Sequence, residues 1–91
     1  MLKVAVGAVF DIALGCNPST GYMWQSNPLP EGLALLGSEF AAPAHAQVGD
    51  PGQQTFHLRA ERAGHYAVVL VLKRRWEAEP IETHSVEVEA R

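Results

Sequence analysis

The most apolar stretch of this 91-residue chain is His65-Tyr66-Ala67-Val68-Val69-Leu70-Val71-Leu72-Lys73. Its β-branched residues pack well on a pleated sheet, and we therefore predict a central strand over residues 65–73. Residues 55–60 precede it and alternate polar with apolar side chains, which predicts a second strand with Phe56, Leu58 and Ala60 inward. The connection between the two, residues 61–64, is short and ends in glycine, as is typical of a hairpin.

Four further segments favour strands by alternation or by composition, namely residues 4–16, 21–25, 33–40 and 81–90. In the first of them an apolar residue stands at every second position. We therefore predict one continuous strand from Val4 to Cys16, with the Cys16 thiol on its buried face. The segment 33–40 has some helical propensity, but it is short and contains Gly37, so a strand is predicted there too.

These segments follow one another at regular spacing without a convincing helix, which predicts an all-β protein. The expected architecture is an immunoglobulin-like antiparallel β-sandwich of about six or seven strands, formed by residues 1–91 as a single domain. The Cys…Trp…Cys arrangement of antibody domains is absent, because Cys16 is the only cysteine. For the same reason no intramolecular disulfide can form.

Charge and composition argue against several function classes. The formal net charge of −3 disfavours nucleic-acid binding, which normally needs a basic surface. No apolar run approaches the length of a membrane span, and Cys16 with four scattered histidines has no metal-ligand spacing. We therefore expect no membrane or nucleic-acid partner and no cofactor, and we also expect a monomer. Gly7 and Asp11 interrupt the first apolar stretch, so we expect no signal peptide here, and the compartment stays open between the cytosol and export.

The order of the strands predicts where their connections lie. If consecutive strands run antiparallel, residues 17–21, 41–53 and 74–80 leave the sandwich at one end, and the connections 27–32 and 61–64 lie at the other. Binding sites accumulate on loops held by a rigid scaffold, and a long loop between short strands calls for a functional reason. We therefore predict a binding surface at the first end.

The three connections at that end have unusual compositions. Asn17-Pro18-Ser19-Thr20-Gly21 is a stiffened turn with two hydroxyl groups, although its composition also fits a turn with no binding role. Gly49-Asp50-Pro51-Gly52 permits a tight excursion of the backbone and a close approach to another surface. Arg74-Arg75-Trp76 either forms a cationic, aromatic binding loop or continues the preceding strand, in which case Trp76 enters the core.

In this order and spacing the motifs make the chain resemble the chagasin family of papain-like cysteine peptidase inhibitors. The NPTTG loop of that family, followed by an aromatic-rich strand, corresponds to Asn17-Pro18-Ser19-Thr20-Gly21 and Tyr22-Met23-Trp24. Its GxGG loop corresponds to Gly49-Asp50-Pro51-Gly52, with Pro51 in place of a glycine. Its RPW loop corresponds to Arg74-Arg75-Trp76, with Arg75 in place of the proline. The resemblance covers residues 4–89.

The resemblance implies a reversible, tight-binding, competitive inhibitor that fills the active-site cleft of a papain-like cysteine peptidase with residues 17–21, 49–52 and 74–76. It implies that Thr20 reaches the region of the catalytic thiol, while the other two loops clasp the sides of the cleft. The protein would then not be an enzyme. Stiff loops lose little entropy on binding, so more of the contact energy appears as affinity.

Two other hypotheses remain open on the sequence alone. A thiol-dependent enzyme would need Cys16 beside one of the histidines at positions 45, 57, 65 and 84, but alternation places Cys16 in the core, where a thiol is inert. An immunoglobulin-like adhesion or carbohydrate-binding module would instead use Tyr22, Trp24 and Trp76 as a stacking platform.

Overall fold

A computed structural model describes residues 1–16, 21–41 and 52–91. The described residues form seven strands and no helix, so none of them belongs to a helix long and apolar enough to cross a membrane. The strands, in chain order, are β1 (Leu2–Val4), β2 (Val9–Cys16), β3 (Tyr22–Ser26), β4 (Leu33–Ala41), β5 (Gly52–Ala60), β6 (Gly64–Arg74) and β7 (Glu82–Ala90).

The strands make two sheets that enclose one core. One sheet has the order β1-β7-β6-β3 and the other the order β2-β5-β4. Both sheets contribute buried side chains to the same hydrophobic cluster, including Leu58 from β5 and Val68, Leu70 and Val88 from the four-stranded sheet. Phe56, Leu58 and Ala60 are all buried, as the alternation of residues 55–60 predicts. The arrangement is therefore a sandwich around the strands that the apolar patterns identify.

The predicted continuous strand from Val4 to Cys16 is wrong. The chain forms β1, turns over residues 5–8, and enters the opposite sheet as β2. Gly7 has a φ of +88°, a conformation that glycine adopts without a steric cost, and the Ala8 N–H donates to the Ala5 carbonyl across the turn. Val6 is consequently exposed, although the alternation places it on the buried face. Apolar residues continue to occupy every second position on both sides of the turn, so the sequence pattern gives no sign that the chain changes sheet there.

One pair of strands also departs from the antiparallel prediction. β1 pairs with β7 in parallel, with Leu2 opposite Val88 and Val4 opposite Ala90, because the chain crosses to the other sheet directly after β1. The other four pairings among the described strands are antiparallel. The strand predicted over residues 33–40 is confirmed as β4, with a bulge between Leu35 and Gly37.

Candidate functional site

The ends of six strands meet at one end of the sandwich. In the three-stranded sheet, Cys16 lies opposite Gly52 and Ala41 lies opposite Gln53. In the four-stranded sheet, Tyr22 lies opposite Arg74 and Leu72 lies opposite Glu82. The connections 17–21, 42–51 and 75–81 therefore join strand ends on the same side, as the alternation of antiparallel strands predicts. We call this side the loop end.

Two contacts hold β2 against β3 where the first connection begins and ends. The Trp24 indole N–H donates to the Gly15 carbonyl at 2.8 Å, and the Cys16 thiol lies 3.6 Å from the Tyr22 carbonyl oxygen. Since β2 and β3 are edge strands of different sheets, these contacts join the two sheets. The two strands that carry residues 17–20 are therefore fixed relative to each other.

A buried side chain that sequence reasoning missed adds a third link. Gln54 on β5 is 6% exposed, and its Oε1 accepts from the Trp24 backbone N–H at 2.9 Å. Its Nε2 donates to the Trp24 carbonyl at 2.8 Å. The alternation that turns Phe56 and Leu58 inward also turns Gln54 inward, so the signal was present, but a polar residue near a loop is usually assigned to the surface.

Gly52, the first residue of β5, lies close to the Phe40 side chain on the neighbouring strand β4. A Cβ atom at this position would clash with the Phe40 ring and would lie 2.7 Å from the Ala41 carbonyl oxygen. Phe40, at the end of the neighbouring strand, is itself 40% exposed. Only glycine leaves room for this contact. The last glycine of the second motif therefore has a structural requirement of its own.

The third motif forms a turn directly after β6. The Glu77 N–H donates to the Arg74 carbonyl at 3.0 Å, which closes a four-residue turn with Arg75 and Trp76 at its centre. Trp76 is 73% exposed. Of the two interpretations of Trp76, the structure supports the loop, because the strand ends at Arg74 and the indole stays outside the core.

Arg74 connects the third motif to the strand after the first. Its guanidinium carbon lies 4.4 Å from the centroid of the Tyr22 ring and 6.0 Å from that of Trp76. It also donates to the Glu77 carboxylate at 3.3 Å. A planar cation within about 6 Å of the centroids of two aromatic rings gains from the charge distribution of both. Arg74 therefore helps to fix Trp76 beside the start of β3.

Five of the twelve predicted binding residues lie in the described part of the chain: Gly21, Gly52, Arg74, Arg75 and Trp76. All five are at the loop end, and Gly21 adjoins Trp76. Asn17, Pro18, Ser19, Thr20, Gly49, Asp50 and Pro51 lie outside the described residues. Trp24, which the carbohydrate-binding hypothesis uses for stacking, is only 6% exposed and cannot form part of an open platform.

Cys16 is buried, as its place in the alternating pattern predicts. Burial raises the pKa of its thiol above the ordinary value of 9.0, so the thiol stays protonated and is a poor nucleophile. This environment argues against the thiol-enzyme hypothesis. The described residues contain no group of three or more His, Cys, Asp or Glu side chains that could hold a metal ion.

Comparison with known proteins gives consistent matches. Residues 3–89 match the family model for the chagasin family peptidase inhibitor I42. Chagasin of Trypanosoma cruzi is 32% identical over 81 residues, which are 82% of this chain and 73% of that protein. The crystal structure of EhICP2, a cysteine protease inhibitor from Entamoeba histolytica, superposes with a TM-score of 0.84 and 28% identity over 99% of this chain and 85% of that one.

The solution structure of amebosin gives a TM-score of 0.80 with 29% identity, over 99% of this chain and 87% of that chain. The likeness to solved structures thus extends over almost the whole sandwich. The predicted immunoglobulin-like β-sandwich is confirmed, with the parallel β1–β7 pair as its one departure from antiparallel pairing among the described strands.

Proposed function

The chain belongs to the chagasin family and is a cysteine peptidase inhibitor, and we propose that it acts by filling the active-site cleft of a papain-like enzyme with its loop end. The observation that carries this proposal is the register of the strands. Cys16 opposite Gly52 and Tyr22 opposite Arg74 bring the stems of all three motifs to one side of the sandwich.

The proposed contact surface consists of the three motifs: Asn17, Pro18, Ser19, Thr20 and Gly21, then Gly49, Asp50, Pro51 and Gly52, then Arg74, Arg75 and Trp76. Support comes from the exposure of Trp76 at the edge of this surface. A large aromatic ring that is exposed in the free protein and packed next to arginine is typical of residues that dominate the energy of an interface. Trp76 would bind the peptidase beside the cleft that residues 17–21 enter.

Inhibition by this surface would be reversible and competitive. The stems of residues 17–20 are joined through the Trp24–Gly15 and Cys16–Tyr22 contacts, which limits the freedom that the loop end loses on binding. The only thiol of the chain is buried and protonated, so a covalent bond through Cys16 to the enzyme is disfavoured. We further propose that the protein acts as a monomer and without catalytic activity of its own.

A titration of papain with the protein tests the proposal. The apparent inhibition constant should rise linearly with the concentration of a peptide substrate, as competition for the cleft requires. Activity should return in full on dilution, and mass spectrometry should find the inhibitor uncleaved. Inhibition that does not depend on the substrate concentration, or rapid cleavage within the loops, would contradict the proposed mode. No inhibition at micromolar protein would contradict the proposal for papain-like enzymes altogether.

A further inference from the structure

Gln54 binds the backbone of Trp24 through both atoms of its amide group. The Trp24 N–H donates to Gln54 Oε1 at 2.9 Å, and Gln54 Nε2 donates to the Trp24 carbonyl at 2.8 Å. The glutamine side chain is almost completely removed from solvent, with 6% of the residue exposed. Burying an amide costs free energy unless its donor and acceptor are both used, and here both are.

This pairing imitates a neighbouring strand. β3 is the outermost strand of its sheet, and β6 is its partner among the described strands. A backbone N–H and C=O of one residue, directed to the same side, normally bond to an adjacent strand in an antiparallel ladder. At Trp24 the amide of Gln54 takes the place of that strand, and it comes from the opposite sheet.

The position of the pair connects two of the three motifs. Trp24 lies three residues after Gly21, which ends the first motif, and Gln54 lies two residues after Gly52, which ends the second. Each partner therefore lies near the start of the strand that follows one motif. The Trp24 indole also bonds to the Gly15 carbonyl on the strand that precedes the first motif. A displacement of β5 relative to β3 would lengthen or break both Gln54 hydrogen bonds, so the pair resists a shift of one strand against the other.

We propose that Gln54 is a positioning residue that fixes the start of β3, which follows the first motif, relative to the start of β5, which follows the second, for binding to the peptidase. The inference deepens the proposed function and depends on it. Gln54 is buried and would not touch the enzyme. Its effect on affinity would come from holding the two motifs in the arrangement that fits the cleft, because a contact surface assembled before binding loses less free energy.

The test compares papain binding by the wild type and by Gln54→Leu, a change of similar size that removes both hydrogen bonds. We expect the Kd to rise about tenfold or more under conditions in which circular dichroism shows the variant to be folded. The matched control is Val88→Ala, which opens space in the core near the opposite end, where Val88 pairs with Leu2 and Tyr66. It should lower stability and leave the Kd unchanged.

A second variant, Gln54→Glu, makes the two hydrogen bonds depend on pH, and its Kd is compared with that of the wild type only at pH values at which circular dichroism shows the variant to be folded. A protonated carboxyl can accept from the Trp24 N–H and donate to the Trp24 carbonyl, whereas a carboxylate can only accept. Burial raises the pKa of a carboxyl, so protonation would begin above the ordinary glutamate value of about 4.3. The ratio of variant to wild-type Kd should therefore fall towards one as the pH is lowered.

The outcomes separate this inference from the proposed function. If the wild type binds papain and both Gln54 variants bind equally well while folded, the positioning role is wrong and the proposed function stands. Equal weakening by Gln54→Leu and Val88→Ala would also overturn it, because affinity would then follow stability. If Gln54→Leu does not fold, Gln54→Glu decides: a ratio of variant to wild-type Kd that does not change with pH, while the variant is folded, overturns the positioning role. Failure of the wild type to bind papain overturns both.

Discussion

Trp76 lies against Gly21, so that a Cβ atom at Gly21 would stand 3.3 Å from Trp76 Cη2. The two residues belong to different motifs, one at the start of β3 and the other after the end of β6, and the Tyr22–Arg74 register brings them together. Gly21 has a φ of +84°, in the left-handed region that side chains with a Cβ rarely adopt. The first and third motifs therefore meet at a position where glycine is required.

Gly21→Ala should weaken both stability and inhibition. The left-handed backbone costs an alanine about 1–2 kcal/mol, and the new methyl group would push the Trp76 ring by a few tenths of an ångström. Urea unfolding measures the first effect and titration of papain the second. Gly15→Ala is the matched control, because a Cβ there has no atom within 4 Å and the backbone belongs to β2. An equal response of the two variants would contradict the role assigned to Gly21.

Trp76→Ala should separate binding from stability. With 73% of the residue exposed, its removal should change the free energy of unfolding by no more than about 0.5 kcal/mol. Loss of the aromatic anchor should weaken binding to papain by about 2 kcal/mol or more. Val9→Ala removes another exposed apolar side chain, from β2 at the end away from the loops, and should leave the affinity unchanged. A destabilised Trp76→Ala with wild-type affinity would contradict the proposed surface.

Arg75→Pro should stabilise the third motif. Arg75 is the second residue of the turn that the Glu77 N–H closes on the Arg74 carbonyl, and this is the position where turns favour proline. Restricting the unfolded chain should raise the free energy of unfolding by about 0.4–1 kcal/mol, with inhibition retained. Arg75→Ala is the control, because it also removes the cation but does not restrict the backbone, so the difference in stability between the two variants measures the effect of proline. A drop in stability for Arg75→Pro would show that the turn does not accept the fixed φ of proline.

His57 should make stability depend on pH. It lies on the outer face of the three-stranded sheet, where Nδ1 is 2.6 Å from the Asp11 carboxylate and Nε2 is 2.9 Å from that of Glu39. Both nitrogens must donate to these carboxylates, which requires the protonated ring, and the hydrogen bonds to Asp11 and then to Glu39 raise the pKa of His57 above its ordinary value of 6.5.

Because the pKa of His57 is higher in the folded state, protonation stabilises the fold fully at pH values below the ordinary pKa. This stabilisation is lost as the pH rises through the raised pKa. The difference in urea midpoint between the wild type and His57→Gln should therefore be largest in mild acid and shrink as the pH rises above 6.5. Asp11→Asn, which removes the strongest partner, should reduce the pH dependence without abolishing it. Parallel pH profiles for the wild type and His57→Gln would contradict this account.

The sequence predicts the sandwich because alternation is a local signal of burial. Phe56, Leu58 and Ala60 are buried where the pattern places them, and the order of the strands correctly predicts that the ends flanking the three motifs share one side. The change of sheet after β1 is not visible in the pattern, because the turn at Gly7 happens to preserve the period of two. The parallel pairing of β1 with β7 follows from that change of sheet and was missed with it.

Two features of the site depend on contacts that no local pattern encodes. The position of Trp76 depends on where β6 ends, and the hydrogen bond between Glu77 and Arg74 determines that end. The inward direction of Gln54 follows from alternation, but its partner is the backbone of a residue 30 positions away in the other sheet. Pairing of this kind is specified by the packing of the sheets and not by neighbours in the chain.

The most direct measurement of the central claim is the affinity of the protein for two forms of papain with a blocked thiol. In one form the thiol carries a small methylthio group, and in the other it carries a peptide that fills the cleft. If the loop end enters the cleft, the protein should bind the first form with an affinity near that for active papain and should not bind the second. Equal affinity for both forms would contradict the claim, because it would place the contact outside the cleft.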